Sequence, residues 1–338
     1  MSKMFLITDF YNIKYLTGFG NKPLYDEQEV YLLVNDDKKY AITDSRYTLE
    51  LKEKLKEYKV IDFTESNLTK AIKDIIAENE IDTLYFEKSI SFRMYDEVLS
   101  KLEVNIIAQD KYIEDKRITK EKKEIDSISK ACTITREVLE TVQEKIDDGI
   151  SEKDLADYIV SEMIKKGAED VSFEPIVVSG NNSAIVHGMP SDKMIEDGEL
   201  IICDVGCKVN GYCSDMTRTF KKGILSNEQE DIYYVVREAQ QRARDAIEVG
   251  MELSELDKVA REYIEEEGYG EYFLHSLGHG VGLNVHEAPA VSKRSKDILK
   301  EGMVITIEPG IYIEGLGGVR IEDTMLVTKD GGIALTRK

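Results

Sequence analysis

The chain has 338 residues, with 66 acidic and 45 basic side chains, a formal charge of −21 and only 4 histidines. At roughly 150 residues per domain that length suggests about two domains, and a 42% hydrophobic content suffices for packed cores, so the charge does not signal disorder. The acidic balance argues against a nucleic-acid partner and against an anionic membrane surface, since both need a basic face.

The apolar run within Met1–Thr8 is too short for a signal peptide, and no stretch approaches the roughly 18 apolar residues of a membrane-crossing helix, so a cytoplasmic protein is expected. Residues 29–34 and 39–43 read as strands joined by the turn Asn35-Asp36-Asp37-Lys38. A helix follows over Ser45–Tyr58, then a strand at Lys59–Phe63, a helix over Ser66–Asn79, a strand at Thr83–Phe86, a helix over Phe92–Lys101 and a strand at Val104–Ile107. The alternation predicts a small α/β domain with a mixed sheet over residues 1–115. It holds no histidine or cysteine, so catalysis is expected elsewhere. The charged segment Asp110–Glu124 reads as a linker into a helix capped by Thr119, and a second domain spans residues 119–338. Cys132, Cys203, Cys207 and Cys213 lack CxxC spacing and are expected to be reduced, mostly buried thiols.

The second domain repeats itself. Gly149, Leu155 and Gly167 match Gly250, Leu256 and Gly268 at an offset of 101. Further on, the segment around His187 matches that around His286, Asp204-Val205-Gly206 matches Glu308-Pro309-Gly310, and Asp215-Met216-Thr217 matches Glu322-Asp323-Thr324. Two helix–helix–strand–strand halves related by a pseudo-twofold axis are expected, with an antiparallel sheet from each facing a shared centre. Asp204 ends one apolar run and Asp215 follows a turn at Asn210-Gly211; Glu308 and Glu322 repeat the device. Four carboxylates would then converge, and a buried group of that kind needs compensating cations. Oxygen-rich ligation with one nitrogen suits Mn²⁺, Co²⁺ or Zn²⁺, and His279 in Gly278-His279-Gly280 is the candidate nitrogen. The alignment sets Gly180 opposite His279.

Together, His187-Gly188, Asp204-Val205-Gly206, Ser214-Asp215-Met216-Thr217-Arg218-Thr219, Gly278-His279-Gly280-Val281-Gly282, His286-Glu287, Glu308-Pro309-Gly310 and Arg320-Ile321-Glu322-Asp323 closely resemble the pita-bread metallopeptidases of M24 type. Within them the chain resembles the Xaa-Pro aminopeptidase and Xaa-Pro dipeptidase (prolidase) branch, and Tyr15–Phe19 with Thr43–Tyr47 is similar to the creatinase/prolidase N-terminal domain. The resemblance implies an α/β (α+β) architecture and two divalent metal ions per chain, Mn²⁺ or Co²⁺ first and Zn²⁺ as an alternative. Asp204 would bind one, His279 and Glu308 the other, and Asp215 and Glu322 would bridge them around a shared water or hydroxide. It further implies Glu308 as proton acceptor and shuttle. His187 and His286 would act on the substrate and its tetrahedral intermediate, His275 would be a pocket group, and Arg320 would hold a bridging carboxylate.

Many dipeptide-cleaving relatives carry an arginine where this chain has Ala290, with Arg294 as a substitute anchor for the substrate carboxylate. That departure favours an Xaa-Pro aminopeptidase, with Xaa-Pro dipeptidase as the alternative. Methionine aminopeptidase, a metal-free creatinase-like enzyme and a non-catalytic binding relative fit less well. The expected partners are a proline-containing peptide and a second copy of the chain.

Overall fold

The computed structural model describes residues 2–20 and 30–338; Met1 and Glu29, each at the start of a segment read above, lie outside the described residues. The chain divides into two compact units, Met1–Lys116 and Arg117–Lys338.

The first unit is built on a six-stranded sheet in the order Lys59–Asp62, Lys39–Thr43, Val30–Val34, Lys3–Ile7, Thr83–Glu87, Asn105–Gln109. It is mixed, since Lys3–Ile7 runs parallel to Thr83–Glu87 and antiparallel to Val30–Val34. Strand alternation feeds two cores. Leu6, Leu33, Ile42 and Leu84 pack against Ile72 and Ile75 of helix Leu68–Glu78, while Ile7, Leu32 and Ala41 meet Leu51 of helix Ser45–Lys54. The strand Lys3–Ile7 and helix Phe10–Thr17 were not marked by periodicity. The helix expected over Phe92–Lys101 stops at Glu97 and continues as a 3₁₀ turn over Leu99–Lys101.

The second unit carries the two halves. Helix Glu152–Lys165 recurs as Leu253–Glu266 at an offset of 101, and Lys122–Leu139 corresponds to Asn227–Asp245. Gly167 and Gly268 follow the matched helices at φ +100 and +87 with open space around them, so backbone conformation alone requires glycine there. Lys122–Leu139 starts after Glu121, whose N–H donates to the Glu124 carboxylate at 2.8 Å. Thr119 is therefore not the cap; it is held in an extended bridge to Met303.

One half forms the sheet Ile176–Ser179, Glu199–Val205, Met216–Lys222. The other forms Glu287–Val291, Gly278–Gly280, Val304–Ile307, Asp323–Thr328, Gly331–Ala334. In the first, Ile201, Cys203 and Val205 pack on Val138, Leu155 and Ile159 of the helices; in the second, Ile305 and Ile307 pack on Val236, Leu256 and Ala260. Each such burial of a valine, leucine or isoleucine contributes roughly 1.5–3 kcal/mol. Alternation then turns Asp204 and Glu308 to the opposite face of each sheet.

Strand register corrects one alignment. Ile176 pairs with Asp204 and Ser179 with Ile201, while Gly280 pairs with Ile305 and the Glu308 N–H donates to the Leu277 carbonyl. The helical offset of 101 therefore persists into these strands, and the counterpart of His279 is Val178, not Gly180. The sequence alignment inserted a gap too early, because the loop lengths change only beyond this strand.

Candidate metal centre

Asp204 lies one residue before the end of its strand, opposite Thr217, and Asp215 immediately precedes the partner strand. The reversal between them is fixed by Ser214, whose hydroxyl accepts from the Cys207 N–H at 2.9 Å. In the other half Glu308 follows Val304–Ile307, and Glu322 sits between strands Gly317–Arg320 and Asp323–Thr328. The halves are laced together there: the Thr217 hydroxyl donates to Glu322 Oε2 at 2.7 Å, and the Glu322 N–H donates to the Thr217 carbonyl at 3.1 Å.

These residues do converge. Ligand atoms of Asp204, Asp215 and Glu322 lie within 4.8 Å of one another, as do those of His279, Glu308 and Glu322, and those of Asp215, His279 and His286. His279 Nε2 is 3.2 Å from Glu308 and 3.6 Å from Asp215. Its Nδ1 lies 3.1 Å from the Gly280 carbonyl, which can only accept, so Nδ1 carries a proton and Nε2 is free to face the carboxylates. Burial, then repulsion from neighbouring carboxylates, pushes Asp215 and Glu322 well above the usual carboxylate range. Burial opposes ionisation of Glu308 too, but the hydrogen bond and charge of His279 bring it down to about 2. Asp204 Oδ1 and Glu322 Oε1 are buried with no hydrogen-bond partner. Oxygens left so are costly, and a cation among them removes both that cost and the repulsion.

Arg320 is buried and donates to Asp204 Oδ2 at 2.7 Å and to the Tyr312 hydroxyl at 2.8 Å. It thus supports Asp204 rather than a residue expected to bridge. Tyr312 in turn meets His275 Nε2 at 2.9 Å, while His275 Nδ1 lies 2.8 Å from the Ser276 carbonyl. The carbonyl requires a proton on Nδ1, so Tyr312 donates to Nε2. A polar chain therefore runs from Asp204 through Arg320 and Tyr312 to His275, which explains why that histidine supports the wall. His187 and His286 are both exposed on the cavity. Burial and the neighbouring His279 lower the pKa of His286, and the His279 and His286 rings are 4.3 Å apart. Glu287 beside it is clamped by Lys120 at 3.0 Å and by Arg117.

The four carboxylates, the four histidines and Arg320 line a cavity of about 510 Å³. A larger one of about 900 Å³, walled by Arg136, Phe220 and Arg237, lies apart from the cluster and holds none of its ligands. Arg294 does not line the main cavity. It is exposed in an adjoining recess of about 250 Å³ that shares only His275 and Ser276 with it, whereas Ala290 does line the main cavity. Tyr312, Thr306 and Glu152 escaped sequence reasoning. The Thr306 hydroxyl accepts from the His279 N–H and donates to Glu308. Glu152, fully buried, accepts from Ser179, Asn182 and Ser191 at the ends of the segment carrying His187. Position i−2 before Glu308 was the available signal for Thr306; the other two lie far from any motif.

Comparison with known proteins matches residues 126–329 to metallopeptidase family M24 and residues 2–119 to the creatinase/prolidase N-terminal domain. The Xaa-Pro dipeptidase of Pyrococcus furiosus is 48% identical over 257 residues, covering 76% of this chain and 74% of that protein. The structure of an Xaa-Pro dipeptidase from Bacillus anthracis matches with a TM-score of 0.94 at 35% identity, covering 99% of this chain and 93% of that one. An X-Pro aminopeptidase from Thermotoga maritima matches at 0.89 and 35% identity, covering 100% and 96%.

Proposed function

The chain belongs to metallopeptidase family M24, and on that premise we propose that it is an Xaa-Pro dipeptidase acting through two divalent metal ions. The observation that carries the reading is the pair of buried, partnerless oxygens, Asp204 Oδ1 and Glu322 Oε1, inside a set of four carboxylates and one imidazole. That donor set fits Mn²⁺ or Co²⁺ first, with Zn²⁺ as an alternative. Asp204, Asp215, His279, Glu308 and Glu322 would hold the ions, which when bound supply Lewis acidity and a water acidic enough to be a nucleophile near neutral pH. Glu308 takes a proton at its carboxylate and passes it to the proline nitrogen as the bond breaks. His187 and His286 approach the scissile carbonyl from the two halves and donate to its oxygen as negative charge develops. Arg320 keeps Asp204 oriented.

The preference for dipeptides over longer peptides rests on relatives named Xaa-Pro dipeptidase and reverses the aminopeptidase expectation drawn from Ala290. Ala290 on the cavity, with Arg294 outside it, keeps an Xaa-Pro aminopeptidase as the second reading. Hydrolysis of Ala-Pro and of Ala-Pro-Xaa peptides by the Mn²⁺- or Co²⁺-loaded protein separates the two. Strong preference for the dipeptide is expected; faster cleavage of the longer peptides establishes the second reading. If no divalent metal binds and Asp204→Asn leaves hydrolysis unchanged, both fail. A homodimer is the expected assembly, and sedimentation as a monomer at micromolar concentration refutes it.

A further inference from the structure

Five carboxylates line the active cavity, and four of them form the cluster. The fifth, Glu174, is exposed and makes no hydrogen bond or ion pair within the unit. It stands two residues before Ile176, which pairs with Asp204 on the neighbouring strand, so the Cα atoms of Glu174 and Asp204 lie within roughly 9 Å of each other. The offset of 101 makes it the counterpart of His275, which faces the same cavity from the other half. His275 is engaged by Tyr312 and Ser276, whereas the Glu174 side chain lines the cavity without such a partner. The apolar part of the cavity lining includes its chain neighbour Phe173, with Val186 and Met189.

We infer that Glu174 sets the preference for the residue preceding proline and selects a lysine or arginine there. The inference rests on the Xaa-Pro peptidase reading. The α-amino group of that residue is only two bonds from the scissile carbonyl carbon and must stay beside the cluster. A lysine side chain, with a stem of about 6 Å, spans the distance to Glu174. Its methylenes cover Phe173, Val186 and Met189 while the head meets the carboxylate. A partly exposed pair of this kind gives roughly twofold to fivefold selectivity.

The test compares kcat/KM for Lys-Pro with that for norleucine-Pro, which has the same stem without the charge, using the metal-loaded full chain. A ratio of about 2–5 is expected, shrinking with added salt. It falls to about 1 in Glu174→Gln and lower in Glu174→Lys. A ratio near 1 in the unsubstituted protein overturns the inference. So does an equal loss on both substrates in Glu174→Gln, which would assign the carboxylate to the α-ammonium or to the fold. Either result leaves the peptidase reading intact. Failure to cleave either dipeptide, or Ala-Pro, removes both.

Discussion

Replacing Glu322 by glutamine should make the metal-free protein more stable and the metal-loaded protein less so. Glu322 is 1% exposed, and its ligand oxygen lies within 4.8 Å of those of Asp204 and Asp215. Two unit charges at that separation repel by about 3.5 kcal/mol at an effective dielectric constant of 20. Uptake of protons by Asp215 and Glu322 relieves part of this, so a net gain of about 1–3 kcal/mol is expected for Glu322→Gln without metal. The amide oxygen can still accept from Thr217, so the Thr217 hydroxyl is not orphaned. In a unit of this size each 1 kcal/mol moves Tm by about 2–4 °C, which sets the metal-free rise at about 2–12 °C. With metal at 100 times its Kd the unsubstituted protein gains about 2.7 kcal/mol per ion, a gain the variant largely forfeits. Calorimetry in chelator and then across a Mn²⁺ titration should show the two Tm curves crossing. A variant less stable than its parent at every metal concentration would refute the reasoning, because Glu322 would then be a structural carboxylate rather than one of a repelling set.

Three further outcomes are expected. Arg320→Met removes the support of Asp204 and should weaken metal binding or kcat/KM by about 10–100-fold, with only partial recovery in Arg320→Lys, because an ammonium cannot span Asp204 and Tyr312 together; Mn²⁺ titration calorimetry giving an unchanged Kd contradicts this. Glu152→Ala strands the Ser179 and Ser191 N–H groups and the Asn182 amide, and should cost about 3–5 kcal/mol in urea unfolding; a loss below about 1 kcal/mol would mean that water takes over the site. Burial raises the pKa of all four thiols, Cys213 up to about 11, so a thiol-specific chromogen should label none quickly until the protein unfolds; one native thiol reacting within seconds would show that a core opens locally.

Much of the site could be read before the fold was known, for a physical reason. A buried metal cluster needs carboxylates at the ends of apolar strands, where local patterning offers no reason for them, so Asp204 and Glu308 stand out against Leu200–Cys203 and Met303–Ile307. The helices and sheets of both halves follow from periodicity and from glycines such as Gly167 and Gly268. What stayed hidden acts across long sequence separations. Tyr312 matters because Arg320 and His275 reach it, and Glu152 because three donors close on it, and no local pattern marks either residue. Thr119 misled because a good capping residue is equally at home in an extended bridge. Arg294 misled because four residues of spacing say nothing about which side of a wall a side chain faces.

The corrected register also explains why a near-symmetric frame holds an asymmetric centre. With the offset of 101, His279 answers to Val178, and with Glu308 answering to Asp204, Thr306 answers to Ile202. The first half fills this layer with Ile176, Val178 and Ile202, which pack with Tyr312. The second half uses the same two positions for a hydrogen-bonded pair, the Thr306 hydroxyl accepting from the His279 N–H and donating to Glu308. An apolar layer cannot orient a carboxylate, so Asp204 takes its support from Arg320, reaching across from the other half. Glu308 needs no such help, because Thr306 and His279 come from its own sheet. The single nitrogen donor and the single arginine are thus two consequences of one difference: the layer is polar in one half and greasy in the other. Val178→His tests this directly. It places an imidazole where Tyr312 packs, so it should cost about 1–3 kcal/mol of stability without adding a metal ligand. Tighter metal binding in that variant would show that the frame could have carried the nitrogen on either side.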